Sequence, residues 1–167
     1  TDKEEVGSEG TTGLQGDYTF HFLKALARAQ EADYEEMLRR SVCVSADVNA
    51  ALDPTFPEVH DPRNAARMNC GVCLTKYTGA RGKGGTNDAS AETLSYVTNV
   101  FDDAGVAWQT GELGKVDQGG GGTIAKFVSN RNVDTVDIGV PMLSMHAPFE
   151  LVAKQDVLMT YRAFLAF

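Results

Sequence analysis

Two adjacent carboxylates, Glu4 and Glu5, stand in the opening run Asp2-Lys3-Glu4-Glu5-Val6-Gly7-Ser8-Glu9-Gly10. Like charges side by side raise one pKa and cost stability unless a cation or a proton resolves them. One carboxylate can hold a metal while its neighbour stays free as a general base, or both can act as an acid/base pair. The same pair also suits the solvated first turn of a helix, where acidic residues complement the macrodipole. Asp47 follows the β-branched run Ser41-Val42-Cys43-Val44-Ser45-Ala46. A carboxylate just past the C-terminal end of a buried strand is where open α/β sheets place their chemistry; capping the next turn is the alternative. His146 lies beyond another such run, on a loop between Pro141 and Pro148. A lone histidine is usually structural, but this one shares its position class with Asp47 and the glutamate pair. Taken together, these carboxylate and imidazole donors suit zinc or another first-row divalent ion. A catalytic metal needs a water and a base beside it, and one Glu of the pair can be that base. A complete two-metal centre wants further ligands, including a bridging carboxylate.

The elements that must position these groups alternate between helix and strand. Asp17 is suited to N-cap a helix running to about residue 40, with Phe20, Leu23, Leu26 and Ala27 at helical spacing. The acidic run 31–36 reads as a solvated face of that helix. Buried strands are expected at 41–46, 71–77, 106–110 and 135–140. Asn87 or Asp88 caps a helix over 89–104, closed by Gly105. A further helix follows the glycine run to about residue 130, and a last one starts near Phe149. The fold class implied is α/β: a three-layer α/β/α sheet, partly parallel.

Other spacings carry less chemistry. Cys70 and Cys73 form a C-x-x-C without a second pair, and residues three apart on a strand face opposite ways, so zinc or redox use is not supported. The stretch Gly79-Ala80-Arg81-Gly82-Lys83-Gly84-Gly85-Thr86 places two residues between its first Gly and its Gly-Lys, where a phosphate loop needs four. A nucleotide-binding domain therefore lacks its motif. The run Gly119-Gly120-Gly121-Gly122-Thr123 permits close backbone approach, and the N–H groups at the following helix start can bind an oxyanion; a simple turn is the alternative. His21 reads as packed or surface-exposed.

The chain has 167 residues and a net charge of −8, enough for one domain with a real core and unfavourable for nucleic acid or an anionic membrane. No run is long and apolar enough to cross a bilayer. Three cysteines are too few for a disulfide framework, which leads us to expect a reducing, cytoplasmic setting. The chain begins in a charged motif and stops within the apolar pattern Phe164-Leu165-Ala166-Phe167, so a piece of a longer polypeptide is expected.

Four motifs occur in order: Asp-Lys-Glu-Glu-Val-Gly-Ser, Val-Ser-Ala-Asp-Val-Asn-Ala-Ala-Leu-Asp-Pro, Gly-Gly-Gly-Gly-Thr-Ile and Leu-Ser-Met-His-Ala-Pro-Phe-Glu. With them the sequence resembles, over essentially its whole length, the C-terminal part of the catalytic domain of the aspartyl aminopeptidase and vacuolar aminopeptidase I family. These are co-catalytic zinc exopeptidases, and the run Val-Trp-Gln-Thr-Gly-Glu-Leu-Gly-Lys-Val-Asp is most similar to bacterial members. The resemblance implies that residues 1–167 are the C-terminal portion of one catalytic domain, without its upstream part or the inserted dimerisation domain. It implies Glu4 as general base, Glu5 and Asp47 as ligands of two different zinc ions, and His146 completing a shell. Lys76 and the backbone of Gly121, Gly122 and Thr123 are the implied substrate contacts. A second histidine ligand and the bridging aspartate lie upstream of the Glu-Glu motif in the family. Some members carry His-Pro where this chain has Asp53-Pro54. Peptide substrates and a homo-oligomer, a dodecamer, are implied as partners. A catalytically inactive homologue acting as an assembly subunit is the alternative, against which the retained Glu4, Glu5, Asp47 and His146 argue.

Overall fold

The computed structural model describes residues 8–81, 84, 85 and 87–167. In chain order the elements are α1 (Tyr18–Ala29), α2 (Tyr34–Arg39), β1 (Val42–Ala46), β2 (Asn49–Ala50), β3 (Val72–Thr75), β4 (Gly79–Ala80), α3 (Ala91–Asp103) and β5 (Trp108–Thr110). They continue through β6 (Gly120–Gly121), α4 (Ala125–Ser129), β7 (Asp134–Gly139), β8 (Pro141–Leu143), β9 (Leu151–Val152) and α5 (Lys154–Ala166).

The main sheet runs β1-β7-β3-β5, with β1 parallel to β7, β7 antiparallel to β3, and β3 parallel to β5. Side chains of a strand alternate between faces, so register assigns each residue to a side. Val72, Leu74, Val136 and Ile138, with Val44, meet Val97 and Phe101 of α3 and Met159 and Ala163 of α5 in the apolar core. The other side carries Ser45, Thr75, Thr135 and Asp137, all buried, and receives Thr123 and the packing of α4 against β7. Helices thus flank a mixed sheet, as the alternation in sequence implies.

Three boundaries differ from the sequence expectation. The single helix expected over 17–40 is two. Glu31 adopts φ +53°, the amide of Ala32 donates to Ala27 O at 2.9 Å, and Asp33 then accepts from the amide of Glu36 at 2.7 Å. Part of the acidic run is therefore a stop followed by an N-cap, whose side chain satisfies a free helix amide. The cap of α3 is Ser90, which accepts from the amide of Thr93 at 3.1 Å, two residues later than Asp88. The last helix starts at Lys154 because Leu143 and Met142 pair with Leu151 and Val152 first, leaving Phe149 90% exposed.

One close approach orders the chain around the sheet's end. The β1–β7 pairing does not stop at Ala46 but passes into the parallel pairing of β2 with β8. The amides of Asp47, Asn49 and Ala51 donate to Ile138, Val140 and Met142 carbonyls at 3.1, 3.0 and 2.8 Å. At the junction Gly139 lies so near Asp47 that a Cβ there would sit 1.5 Å from the Asp47 carbonyl oxygen. No side chain fits, and the obstacle is backbone that cannot swing away. Gly139→Ala is expected to destabilise the chain by about 3 kcal/mol or more through forced backbone displacement. A fall in urea midpoint together with changed NMR shifts at Asp47 and Val48 checks this; a parental midpoint would contradict it.

Candidate functional site

Asp47 sits at that junction, just past the end of β1, and its Oδ1 accepts from the amide of Val48 at 2.8 Å. Its neighbour β7 is parallel, so the segment leaving β8 toward His146 emerges beside it. The return is tight. Ser144 and His146 have φ +59° and +66°, and the amide of Ala147 donates to Ser144 O at 2.9 Å. Two non-glycine residues held in the left-handed region cost free energy and concentrate at functional sites. Glu150 fixes the turn: its Oε1 accepts from the His146 amide at 2.7 Å.

Opposite this turn lies the glycine run. Gly121 and Gly120 pair antiparallel with Gly79 and Ala80, forming the short β4–β6 ribbon. Between the two sides opens a cleft of about 420 Å³, lined by Asp47, His146, Glu150, Gly121, Gly122 and Thr123. Leu113, Met142 and Met145 add apolar wall. The structure therefore brings together Asp47, His146 and the three glycine-run residues named from sequence. Lys76 is not part of this lining; its ammonium pairs with Asp88, at the side of the sheet where Ala89 bonds the Lys76 carbonyl at 2.7 Å. Glu4 and Glu5 lie outside the described residues. The chain that follows them turns at Ser8, which is 1% exposed and whose carbonyl accepts from the Gln15 amide at 3.1 Å.

Carboxylate oxygen and imidazole nitrogen facing one cleft match the donor chemistry of zinc. Among the described residues no three His, Cys, Asp or Glu side chains form a group able to hold an ion. The donor set present here fits a divalent ion in kind and is incomplete in number. Cys70 and Cys73 add nothing to it: both are free, Cys70 is exposed, and burial pushes the Cys73 thiol up to about 12.

Two residues of this region were not anticipated as functional. Glu150 stood inside a quoted motif, but a carboxylate bonding a backbone amide four residues back has no sequence signature outside a helix cap. In sequence Asp137 is simply a member of the buried strand expected over 135–140. It is 2% exposed, and its Oδ2 accepts from Thr123 Oγ1 at 3.0 Å. Burial raises its carboxyl pKa from 3.8 to about 6, against the lowering influence of the Ser45 and Thr123 hydroxyls. Ser45 is its register partner, yet neither Ser45 Oγ nor Asp137 Oδ1 completes a well-formed hydrogen bond. The available signal was a carboxylate within an apolar strand, which is expensive unless partnered.

Comparisons with known proteins agree with this fold. The family model for aminopeptidase I zinc metalloprotease (M18) matches residues 1–167. A probable M18 family aminopeptidase 1 of Thermotoga maritima is 46% identical over 168 residues, covering 98% of this chain and 37% of the relative. The crystal structure of aminopeptidase I from Clostridium acetobutylicum superposes with a TM-score of 0.91 at 43% identity, covering 98% of this chain and 36% of that one. The yeast mApe1 dodecamer shares the fold at a TM-score of 0.76 and 23% identity, covering 99% of this chain and 36% of its own. The chain thus spans well under half the length of these relatives.

The Asp137 carboxyl generates a pH prediction. Between pH 3.8 and about 6 the folded chain keeps a proton that the unfolded chain has released, so stability falls as pH rises through that window. Roughly two pKa units correspond to about 3 kcal/mol lost by neutral pH. Asp137→Asn cannot titrate. Its urea midpoint relative to the parent should climb from about pH 4 to about pH 6.5 and then level; a pH-independent difference would contradict the assignment.

Proposed function

The chain belongs to the aminopeptidase I zinc metalloprotease (M18) family, and from that footing we propose that it supplies part of the catalytic centre of an aminopeptidase removing the N-terminal residue of peptides. The observation that carries this is the meeting of Asp47 and His146 across one cleft with the backbone of Gly121, Gly122 and Thr123. Zinc, as a pair of ions, would be held by Asp47, Glu5 and His146, together with the further aspartate and histidine that the family resemblance implies. Bound there, it would supply Lewis acidity, making water more acidic and polarising a carbonyl.

The chain's own residues account for the remaining steps. Glu4 takes the proton from the attacking water and delivers it to the departing amine. Amide N–H groups of the glycine run donate to the carbonyl oxygen as it gains charge, which is the larger electrostatic gain in such sites. Leu113, Met142 and Met145 give the cleft an apolar wall. Lys76 would contact the N-terminal residue's side chain after leaving Asp88. A homo-oligomer, and specifically a dodecamer, is proposed for the complete protein on the family likeness and the yeast assembly.

The test uses the full-length polypeptide, metal analysis and a panel of aminoacyl-nitroanilides. Glu4→Gln should keep its zinc and lose about 10²–10⁴-fold in kcat. Asp47→Asn should lose bound zinc and activity together. The 167-residue span alone should turn over little or nothing. Equal rates for Glu4→Gln and parent would overturn the role of Glu4, and a full-length protein that binds zinc without cleaving any substrate would favour the inactive assembly subunit.

A further inference from the structure

The glycine run poses a positioning problem that the catalytic reading leaves open. Residues 119–122 are four consecutive glycines, the least constrained backbone a chain can have. Packing alone does not demand glycine throughout: a Cβ at Gly121 would make only an ordinary contact, 3.7 Å from Leu113 Cδ1. The run is restrained by the two-residue β4–β6 pairing and, at Gly119, by its amide bond to Lys115 O at 2.8 Å and by the Arg81 amide on its carbonyl at 3.0 Å. These bonds hold the start of the run; its end calls for an anchor of its own, because ordering each residue costs conformational entropy.

Thr123 is the first side chain after the run, 6% exposed, and its hydroxyl donates to Asp137 Oδ2 at 3.0 Å. Asp137 belongs to β7, which is bonded on both sides, by β1 through Ser45 and by β3 through Thr75. Thr75 Oγ1 in turn accepts from Asn49 Nδ2 at 2.8 Å, and Asn49 lies two residues past Asp47. Thr123, Asp137, Thr75 and Asn49, all buried and polar, therefore occupy neighbouring positions. Asp137 Oδ1 and Asn49 Oδ1 lack hydrogen-bond partners among them. An apolar residue at 137 would make the better core, since a half-satisfied buried carboxyl lowers stability.

We propose that Asp137 is a positioning residue: through Thr123 it anchors the glycine run to the central strand and so sets the backbone of Gly121, Gly122 and Thr123 that lines the cleft. It touches no reacting atom. The kinetic part of this inference rests on the aminopeptidase reading; the structural part does not.

The experiment compares full-length parent, Thr123→Val, which is near-isosteric and lacks the hydroxyl, and Thr123→Ser, which keeps it. Hydrogen–deuterium exchange is read on the peptide covering 119–123, with zinc content, KM and kcat measured alongside. Thr123→Val should exchange there about tenfold faster and lower kcat about tenfold, the scale of one lost charge-assisted hydrogen bond, with KM and zinc content much less affected. Thr123→Ser should recover exchange protection to within about twofold of the parent. Parental exchange in a folded Thr123→Val would overturn the inference. If valine prevents folding, Thr123→Ala carries the same expectation. Should the parent show no peptidase activity, the catalytic reading fails and the exchange comparison still decides whether Asp137 anchors the run.

Discussion

The structure depends on one close approach, that of the Asp47 carbonyl to the bare α-carbon of Gly139. Because no side chain intervenes, the parallel pairing of β1 with β7 continues into that of β2 with β8. A single pair of strands then carries Asp47 from one member and leads, past β8, to the tight turn bearing His146. Parallel neighbours end at the same edge of a sheet, so both donors arrive at one place. The geometry of the cleft is thus a consequence of strand pairing more than of any contact between the two side chains.

The two faces of the main sheet divide the labour. Val72, Leu74, Val136, Ile138 and Val44 seal the side under α3 and α5 and supply the hydrophobic stabilisation. On the other side the alternating positions are Ser45, Thr75, Thr135 and Asp137, small or polar, and they receive the lead-in to α4. That choice gives up burial energy on the face that receives Thr123. What it gains is a hydrogen bond from Thr123 to the central strand.

Much of this was legible in the residues. All four strands of the main sheet, the α3 and α4 regions and the placing of Asp47 and His146 beyond strand ends follow from apolar runs and their punctuation. The break between α1 and α2 was hidden because Glu31 and Asp33 are ordinary surface residues whose φ angle and capping bond only the folded chain reveals. The delay of α5 to Lys154 is a tertiary effect: Leu151 and Val152 pair with β8 before any helix begins. Glu150 and Asp137 were missed because their roles are contacts to a backbone amide and to Thr123, and the latter spans fourteen positions. Lys76, which the family likeness implies as a substrate contact, pairs with Asp88 and remains a proposed contact.

The proposed zinc site is the cleft between the His146 turn and the glycine run. Anomalous diffraction at the zinc edge from crystals of the full-length protein tests it most directly. Density is expected inside this cleft within about 2.0–2.2 Å of an Asp47 carboxylate oxygen and an imidazole nitrogen of His146. Stoichiometric zinc found elsewhere, with neither residue in its shell, would contradict this assignment.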